Sequence, residues 1–222
     1  DGTLVRMKAT NSYDVPLEMA KELERAGYIS ILPAVEVKPV RTAVKGKKPF
    51  IEVLTRSFRR PSLLNQNIES LEEQTSKNFV QTLFIDDVGI GVPAANAQFA
   101  DVKPVGKYVW ILDDDDLCTR PTLFEEVEKL AKESKPAVVI VRFDHSHLGI
   151  LPSDETFGKT GLIKEGGIGC SSYFVRKDVW EEHKHAWKSA RYASDFDFIR
   201  EVLNNEEDVV WHDVVAGRVQ KI

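Results

Sequence analysis

Val109-Trp110-Ile111-Leu112-Asp113-Asp114-Asp115-Asp116-Leu117 decides the fold. An uninterrupted apolar run rich in β-branched and aromatic residues reads as a strand buried on both faces, and this one ends abruptly in four carboxylates. Strand side chains alternate between faces. If the strand persists that far, Asp113 and Asp115 share one side and Asp114 and Asp116 the other. Four adjacent anions repel one another, and a bound cation is the simplest remedy. Hard oxygen ligands favour Mg2+, Mn2+ or Ca2+, and an ion held by one or two carboxylates completes its shell with water and substrate phosphates. The competing reading is a solvated acidic loop, but such loops seldom follow directly on a buried hydrophobic strand.

The elements on either side repeat the pattern. Upstream, Phe50 to Leu54 is an apolar strand followed by the basic loop Thr55-Arg56-Ser57-Phe58-Arg59-Arg60-Pro61, and a helix runs from Ser62 to about Gln74. Guanidinium groups beside a strand end are suited to clamp a phosphate or a base, so the three arginines of this loop, Arg56, Arg59 and Arg60, are candidate ligand contacts. Phe79 to Ile85 is a further strand ending in acids, Asp86-Asp87, and the glycines after it belong to turn geometry rather than to a phosphate loop. Ala94 to Asp101 reads as a short helix. Downstream come a helix from Thr122 to Glu133, a buried strand from Ala137 to Phe143 and a strand from Tyr173 to Arg176. A helix from Asp178 to about Trp187 follows, with Trp180 and Trp187 as core residues. Ser194 opens a helix through Leu203, and the strand Val209 to Asp213 carries His212 near its end, where an imidazole would complete a metal shell. His145 and His147 read as a surface loop. Strands alternating with helices specify an α/β sheet, largely parallel, with ligands at the carboxyl strand ends.

Composition sets the outer bounds. The 222 residues provide one substantial domain or one domain plus an appendage, and an apolar fraction of 42% is enough for a real core. A formal charge of −5 with both signs interspersed gives no general case for nucleic-acid or anionic-membrane binding. Cys118 and Cys170 have neither metal-ligand spacing nor the density of a disulfide scaffold. With no bilayer-length apolar run and no signal-peptide core, the expected location is cytoplasmic. Residues 1–45 read as an accessory segment: a strand from Leu4 to Thr10, a helix from Asp14 to Ala26 and a Pro- and Lys-containing linker between Pro33 and Pro49. Residues 46–222 then form the main domain. The accessory pattern weakly resembles small strand-helix modules of bacteriophage structural proteins.

Four motifs in order carry a stronger likeness: Phe50-Ile51-Glu52-Val53-Leu54-Thr55-Arg56, then Leu83-Phe84-Ile85-Asp86-Asp87, then Gly106-Lys107-Tyr108 through Asp116, then Ser194-Asp195-Phe196-Asp197. Together they resemble the family-two glycosyltransferases of the GT-A fold, over residues 49 to about 215. The resemblance implies a nucleotide-diphospho-sugar transferase. Thr55 and Arg56 would lie beside the base, Asp86 would bind base or ribose, and Asp113 and Asp115 would form the Asp-x-Asp motif, with Asp114 a further donor contact. Asp115 would face Mn2+ or Mg2+, with His212 as an additional ligand. Asp195 would be the catalytic base, although the Glu-Asp pair usual in the family is here Ser194-Asp195. Its donor would be a UDP- or GDP-sugar and its acceptor a hydroxyl, on a glycan by the same likeness. Direct attack of that hydroxyl inverts the anomeric carbon. Two alternatives remain, a sugar nucleotidyltransferase and a catalytically silent GT-A binding domain in a phage-related structural protein.

Overall fold

The computed structural model describes residues 3–7, 12–15, 29–31, 36–39, 48–189 and 191–220. The chain divides into two compact units, Asp1–Glu36 and Val37–Ile222. In the first, β1 (Thr3–Met7) lies between β2 (Ser12–Val15) and β3 (Ile29–Ile31) in an antiparallel sheet, with Val5 in register with Tyr13 and Ile31. Asp14 and Val15 close β2. The rest of the helix expected up to Ala26 lies outside the described residues, as do residues 40–47 of the expected linker.

The second unit is built on β4 (Glu36–Pro39), β5 (Ile51–Ser57), β6 (Phe79–Ile85), β7 (Tyr108–Ile111), β8 (Asp116–Cys118), β9 (Val138–Asp144), β10 (Ile150–Leu151), β11 (Tyr173–Arg176) and β12 (Val209–Val219). Among the described residues five helices accompany them: α1 (Pro61–Glu72), α2 (Val92–Ala97), α3 (Leu123–Glu133), α4 (Lys177–His183) and α5 (Ser194–Asn205). Spatial order along the sheet is β4-β6-β5-β7-β11-β9-β12-β8, with β10 on β9. The apolar runs of β5, β7 and β9 are buried almost throughout, as strands covered on both faces must be.

The sheet is mixed. β5 runs parallel to β6 and β7, and β9 parallel to β12, but β11 enters between β7 and β9 antiparallel to both. The expected parallel order therefore holds for β6-β5-β7 and for β9-β12, and it is broken by β11 and again at β8 and β10, which run antiparallel to β12 and β9. The reason is where the chain arrives: β11 starts opposite the later part of β7, with Phe174 facing Trp110 and Arg176 facing Tyr108. The segment leading into it, Gly166 to Ser172, is thereby brought to the carboxyl end of the sheet.

Trp110 sits at the centre of the core, stacked on Phe174 at 4.8 Å and meeting the edge of Phe124 at 5.8 Å. Trp180 and Trp187 are each 1% exposed, packed with Phe99 and Phe198. The single helix expected across these two tryptophans is α4 as far as His183 and then a 3-10 segment, Lys184–Lys188. Gly106 marks a close approach: a Cβ there would stand 2.6 Å from the backbone nitrogen of Glu52, whose carboxylate accepts the Val105 and Gly106 amides at 2.6 and 3.2 Å. Among the described residues no helix is long and apolar enough to cross a membrane.

Candidate active site

The acidic stretch is a turn, not a strand. β7 ends at Ile111, and the carbonyl of Asp113 accepts the amide of Asp116 at 2.9 Å, closing a tight turn over Asp114 and Asp115. Face alternation therefore stops before the carboxylates, and their neighbours are set by the turn.

β5 explains which neighbours these are. It runs on to Ser57, three residues beyond Leu54, so Thr55, Arg56 and Ser57 are strand residues with alternating directions. Thr55 is fully buried, and its hydroxyl accepts from Gln81 at 2.9 Å, so its side chain is absorbed inside the sheet rather than presented to a base. Arg56 grips Asp113 with both arms of its fork, Nε to Oδ1 at 2.8 Å and Nη2 to Oδ2, while its guanidinium lies 5.2 Å from the Phe99 ring centre. Arg60, just before α1, takes two acids at once. It donates to both oxygens of Asp114, Nε at 3.2 Å, and through Nη1 to Oδ2 of Asp115 at 2.7 Å.

The fourth acid is handled differently. Asp116 is 5% exposed and accepts the Ser171 hydroxyl; burial and the nearby Asp113 raise its pKa well above the ordinary carboxylate value. Burial also raises Asp114, against hydrogen bonding from Ser57 and the pull of Arg60. The repulsion among the four acids is thus relieved within the chain, by two arginines and by the Ser171 hydroxyl that Asp116 accepts. A bound cation is not needed to hold this turn together.

The backbone is held just as closely. Asn67 of α1 donates to the carbonyls of Asp113 and Asp116, both at 2.9 Å, and accepts from Gln81 at 2.8 Å. Gln220, immediately after β12, supplies its backbone amide to Asp115 O at 2.6 Å and its side-chain amide to Asp114 O at 3.0 Å. All four aspartate carbonyls are satisfied by these two residues. Asn67→Ala is expected to cost about 2–3 kcal/mol, since it takes a donor from two carbonyls of the turn and an acceptor from the Gln81 amide together. Chemical denaturation measures it, and Asn67→Asp, which cannot donate twice, is expected to recover little.

The remaining expected site residues divide. Asp86 lies at the end of β6, but its Oδ1 accepts the amides of Val88 and Gly89 at 3.0 and 2.7 Å and its Oδ2 that of Ile90 at 2.8 Å, so it organises its own loop with both oxygens. Asp195 stands in the first turn of α5, half-buried. Burial raises its pKa, against the Phe196 amide and the charge of Arg56, while Asp113 pushes it further up; it therefore belongs to the same electrostatic neighbourhood as the acidic turn. Asp197 does another job, accepting from Ser189 at 2.7 Å and Arg200 at 3.1 Å.

His212 is a correction. Its Nε2 meets Oε2 of Glu126 at 2.7 Å, and the residue of this region that reaches the acidic turn is Gln220. From Trp211, opposite Ile140, to Arg218, opposite Asp144, β12 advances four β9 positions, about 13 Å at about 3.3 Å per residue, and Gln220 lies two residues further on, so His212 stands too far from the acidic turn for a shared ion. Against the upward push of burial, hydrogen bonds from Arg120, Thr122 and His212 bring Glu126 down to about 2. The ligand trio Asp113, Asp115 and His212 therefore does not assemble. Among the described residues, the His, Cys and carboxylate group whose ligand atoms converge within 4.8 Å is Glu182, His183 and Glu206, at the carboxyl ends of α4 and α5.

Asn67, Gln220, Ser171 and Cys170 are residues that sequence reasoning missed. Cys170 is buried, 3.8 Å from Asp113 through its sulfur, with its thiol pKa pushed well up by burial and then by Asp113. Such a thiol is a packing group, not a nucleophile.

No family model matches the chain, and no curated protein does. Solved structures do resemble it in fold. S. aureus TarS 1-349 in complex with UDP-GlcNAc superposes with a TM-score of 0.60 at 10% identity, covering 78% of this chain and 58% of that one. S. aureus TarS superposes at 0.57 and 11% identity, covering 77% of this chain and 36% of that one. The mannosyltransferase PcManGT from Pyrobaculum calidifontis, in complex with GDP-Man and Mn2+, gives 0.52 and 11% identity, covering 82% of this chain and 59% of that one. This chain thus spans less than two thirds of the length of these proteins. At such identities the likeness is one of architecture: the chain has the mixed α/β fold of the GT-A nucleotide-sugar transferases.

Proposed function

We propose that the second unit transfers a sugar from a nucleotide-diphosphate donor, a UDP- or GDP-sugar, to an acceptor hydroxyl, with inversion at the anomeric carbon. One observation carries the reading: at the carboxyl end of the sheet, Arg56 lies within the fields of both the acidic turn and Asp195, so anion-binding and proton-accepting groups share one site. In this reading Arg56 and Arg60 receive the diphosphate, and Asp195 takes the acceptor proton as the oxygen attacks. A raised pKa suits Asp195 to that task, because a stronger base accepts the proton more readily.

For the cation, the donor set fits one carboxylate anchor rather than three ligands. Asp115 is at the rim, with its side chain 26% exposed, and among the described residues its Oδ1 has no hydrogen-bond partner. That suits Mg2+ or Mn2+, which complete their shells with water and phosphate oxygens. When bound, the ion would neutralise charge that develops on the leaving diphosphate.

Support also comes from the nucleotide-sugar complexes of the fold's relatives. The test is a thermal-shift panel of nucleoside diphosphates with and without Mn2+, since a ligand of the folded state raises apparent stability. Asp115→Ala is expected to abolish the Mn2+-dependent part of the shift while leaving the unliganded melting temperature near the parent's. Equal shifts in parent and variant would remove Asp115 from the cation site. Release of pyrophosphate instead of nucleoside diphosphate would point to a nucleotidyltransferase.

A further inference from the structure

We propose that Arg60 is a counter-cation latch: it holds the Asp115 carboxylate and exchanges it for donor phosphate when a divalent cation binds. This rests on the nucleotide-diphosphate reading above and adds a control step to that site.

The acids of the turn are not equally available. Asp113 has both oxygens on Arg56, and the Asp114 side chain is 0% exposed with both oxygens on Arg60. Asp115 is the most open of these, and among the described residues Arg60 is the sole hydrogen-bond partner of its carboxylate, through a single arm. Arg60 therefore has a firm attachment and a loose one. Its fork is anchored on buried Asp114, while Nη1 reaches the rim. Its side chain is 37% exposed, and it sits in a short loop ahead of Pro61, where its neighbour Arg59 has a left-handed φ of 54°. A guanidinium is rigid and planar, so while Nε and Nη2 stay on Asp114 the Nη1 donor stays in place, and it is the more exposed Asp115 carboxylate that turns away from it.

Electrostatics gives the exchange its direction. A divalent ion on Asp115 must displace the Nη1 contact and then lies within a few ångströms of a positive group, so Arg60 opposes the ion when nothing else is bound. A diphosphate reverses the sign. Its oxygens coordinate the ion and accept from guanidinium, and the vacated Nη1 donor gains a partner of higher charge than the carboxylate that left it. Cation alone and diphosphate alone should each bind weakly, and together they should bind cooperatively, because each relieves a cost that the other would meet.

The experiment titrates Mn2+, followed by the electron-spin signal of the free ion, into the full chain and into Arg60→Met, with and without UDP or GDP. In Arg60→Met, affinity for Mn2+ alone is expected to rise by roughly tenfold, since a unit positive charge near the site is gone. Affinity for nucleoside diphosphate at saturating Mn2+ is expected to fall by roughly tenfold, for want of a charge-assisted contact. Opposite signs on the two ligands are the signature. A residue that only props up the turn would weaken both when removed.

Mn2+ affinity in Arg60→Met equal to or below the parent's, with nucleotide binding intact in the parent, overturns the latch and leaves the donor reading standing. If the parent binds neither Mn2+ nor nucleotide, both fall. Should Arg60→Met fail to fold because Asp114 loses its partner, Arg60→Lys serves instead. A point charge cannot grip two carboxylates as a fork does, so a smaller rise in Mn2+ affinity is expected, and no rise overturns the proposal.

Discussion

Asp195→Asn is expected to leave nucleoside diphosphate binding near the parental level and to lower sugar transfer by roughly a hundredfold or more, the usual range for removing a general base. Asn keeps the size of the side chain and much of its hydrogen bonding but cannot take a proton. The structure sharpens the contrast with a merely structural role. α5 begins at Ser194 with Ala193 before it and no side-chain cap, so Asp195 lies inside the first turn rather than at the capping position. A carboxylate there stabilises the helix end by at most about 1 kcal/mol, and Asn gives up only part of that. Asp197→Asn is expected to act in the opposite sense: little effect on chemistry, but some loss of stability, because Asp197 gathers Ser189, Arg200 and Arg191.

The pH profile supplies an independent check on the same residue. A base must be unprotonated, and burial raises the Asp195 pKa. Transfer should therefore fall on the acid side at a pH above the range of an ordinary exposed carboxylate, and that limb should vanish from the residual activity of Asp195→Asn. Nucleoside diphosphate release measures both. Parental transfer by Asp195→Asn would move the base assignment to another carboxylate, with Asp197 and Asp116 next in line. The structure already weakens both of these, because the first is committed to ion pairs and the second is buried against Ser171.

The framework was readable because buried strands announce themselves. The apolar runs before Thr55, Asp86, Asp113 and Asp144 place β5, β6, β7 and β9 within a few residues of where they lie, and at all three sites where acids end a strand a carboxylate or its backbone is bonded into the following loop or turn. What no local pattern reveals is partnership across the chain. Asn67 reads as one polar residue on a surface helix, yet it is fully buried beneath a turn 46 residues away. Gln220 joins the main chain of Leu63 to that of Asp114 from beyond the end of β12. The strand read as ending at Asp213 continues to Val219, through two register shifts against β9. That extra length is what carries His212 away from the site and brings Gln220 into it. Charge was misjudged for a related reason: the sequence shows four acids together, while the arginines that neutralise them stand more than fifty positions earlier.

Trp110→Ala is expected to destabilise the second unit by about 3–5 kcal/mol, the range for deleting a buried aromatic side chain and leaving a cavity. With domain stabilities of about 5–15 kcal/mol, that is a large share of the whole. Trp110 is 0% exposed and lies on the middle strand of the sheet, opposite Val53 on one side and Phe174 on the other. Its ring fills the space between Phe174 and Phe124, and its Nε1 donates to the carbonyl of Ser171 at 2.9 Å. The last bond ties the core to the site, because the Ser171 side chain in turn holds Asp116. Trp110→Phe separates the two contributions: most of the packing stays, the donor goes, and the expected loss is about 1–2 kcal/mol from the orphaned carbonyl and the smaller ring. Urea denaturation with an unchanged m-value measures each loss. Nucleoside diphosphate binding, measured well below the melting temperature, should weaken in Trp110→Phe as well, since the loop that seats Asp116 loses its inner tether while the fold survives. If Trp110→Phe loses stability but binds nucleotide as the parent does, the bond from Trp110 to Ser171 is a core contact only, and Asn67, Gln220 and the two arginines hold the acidic turn without it.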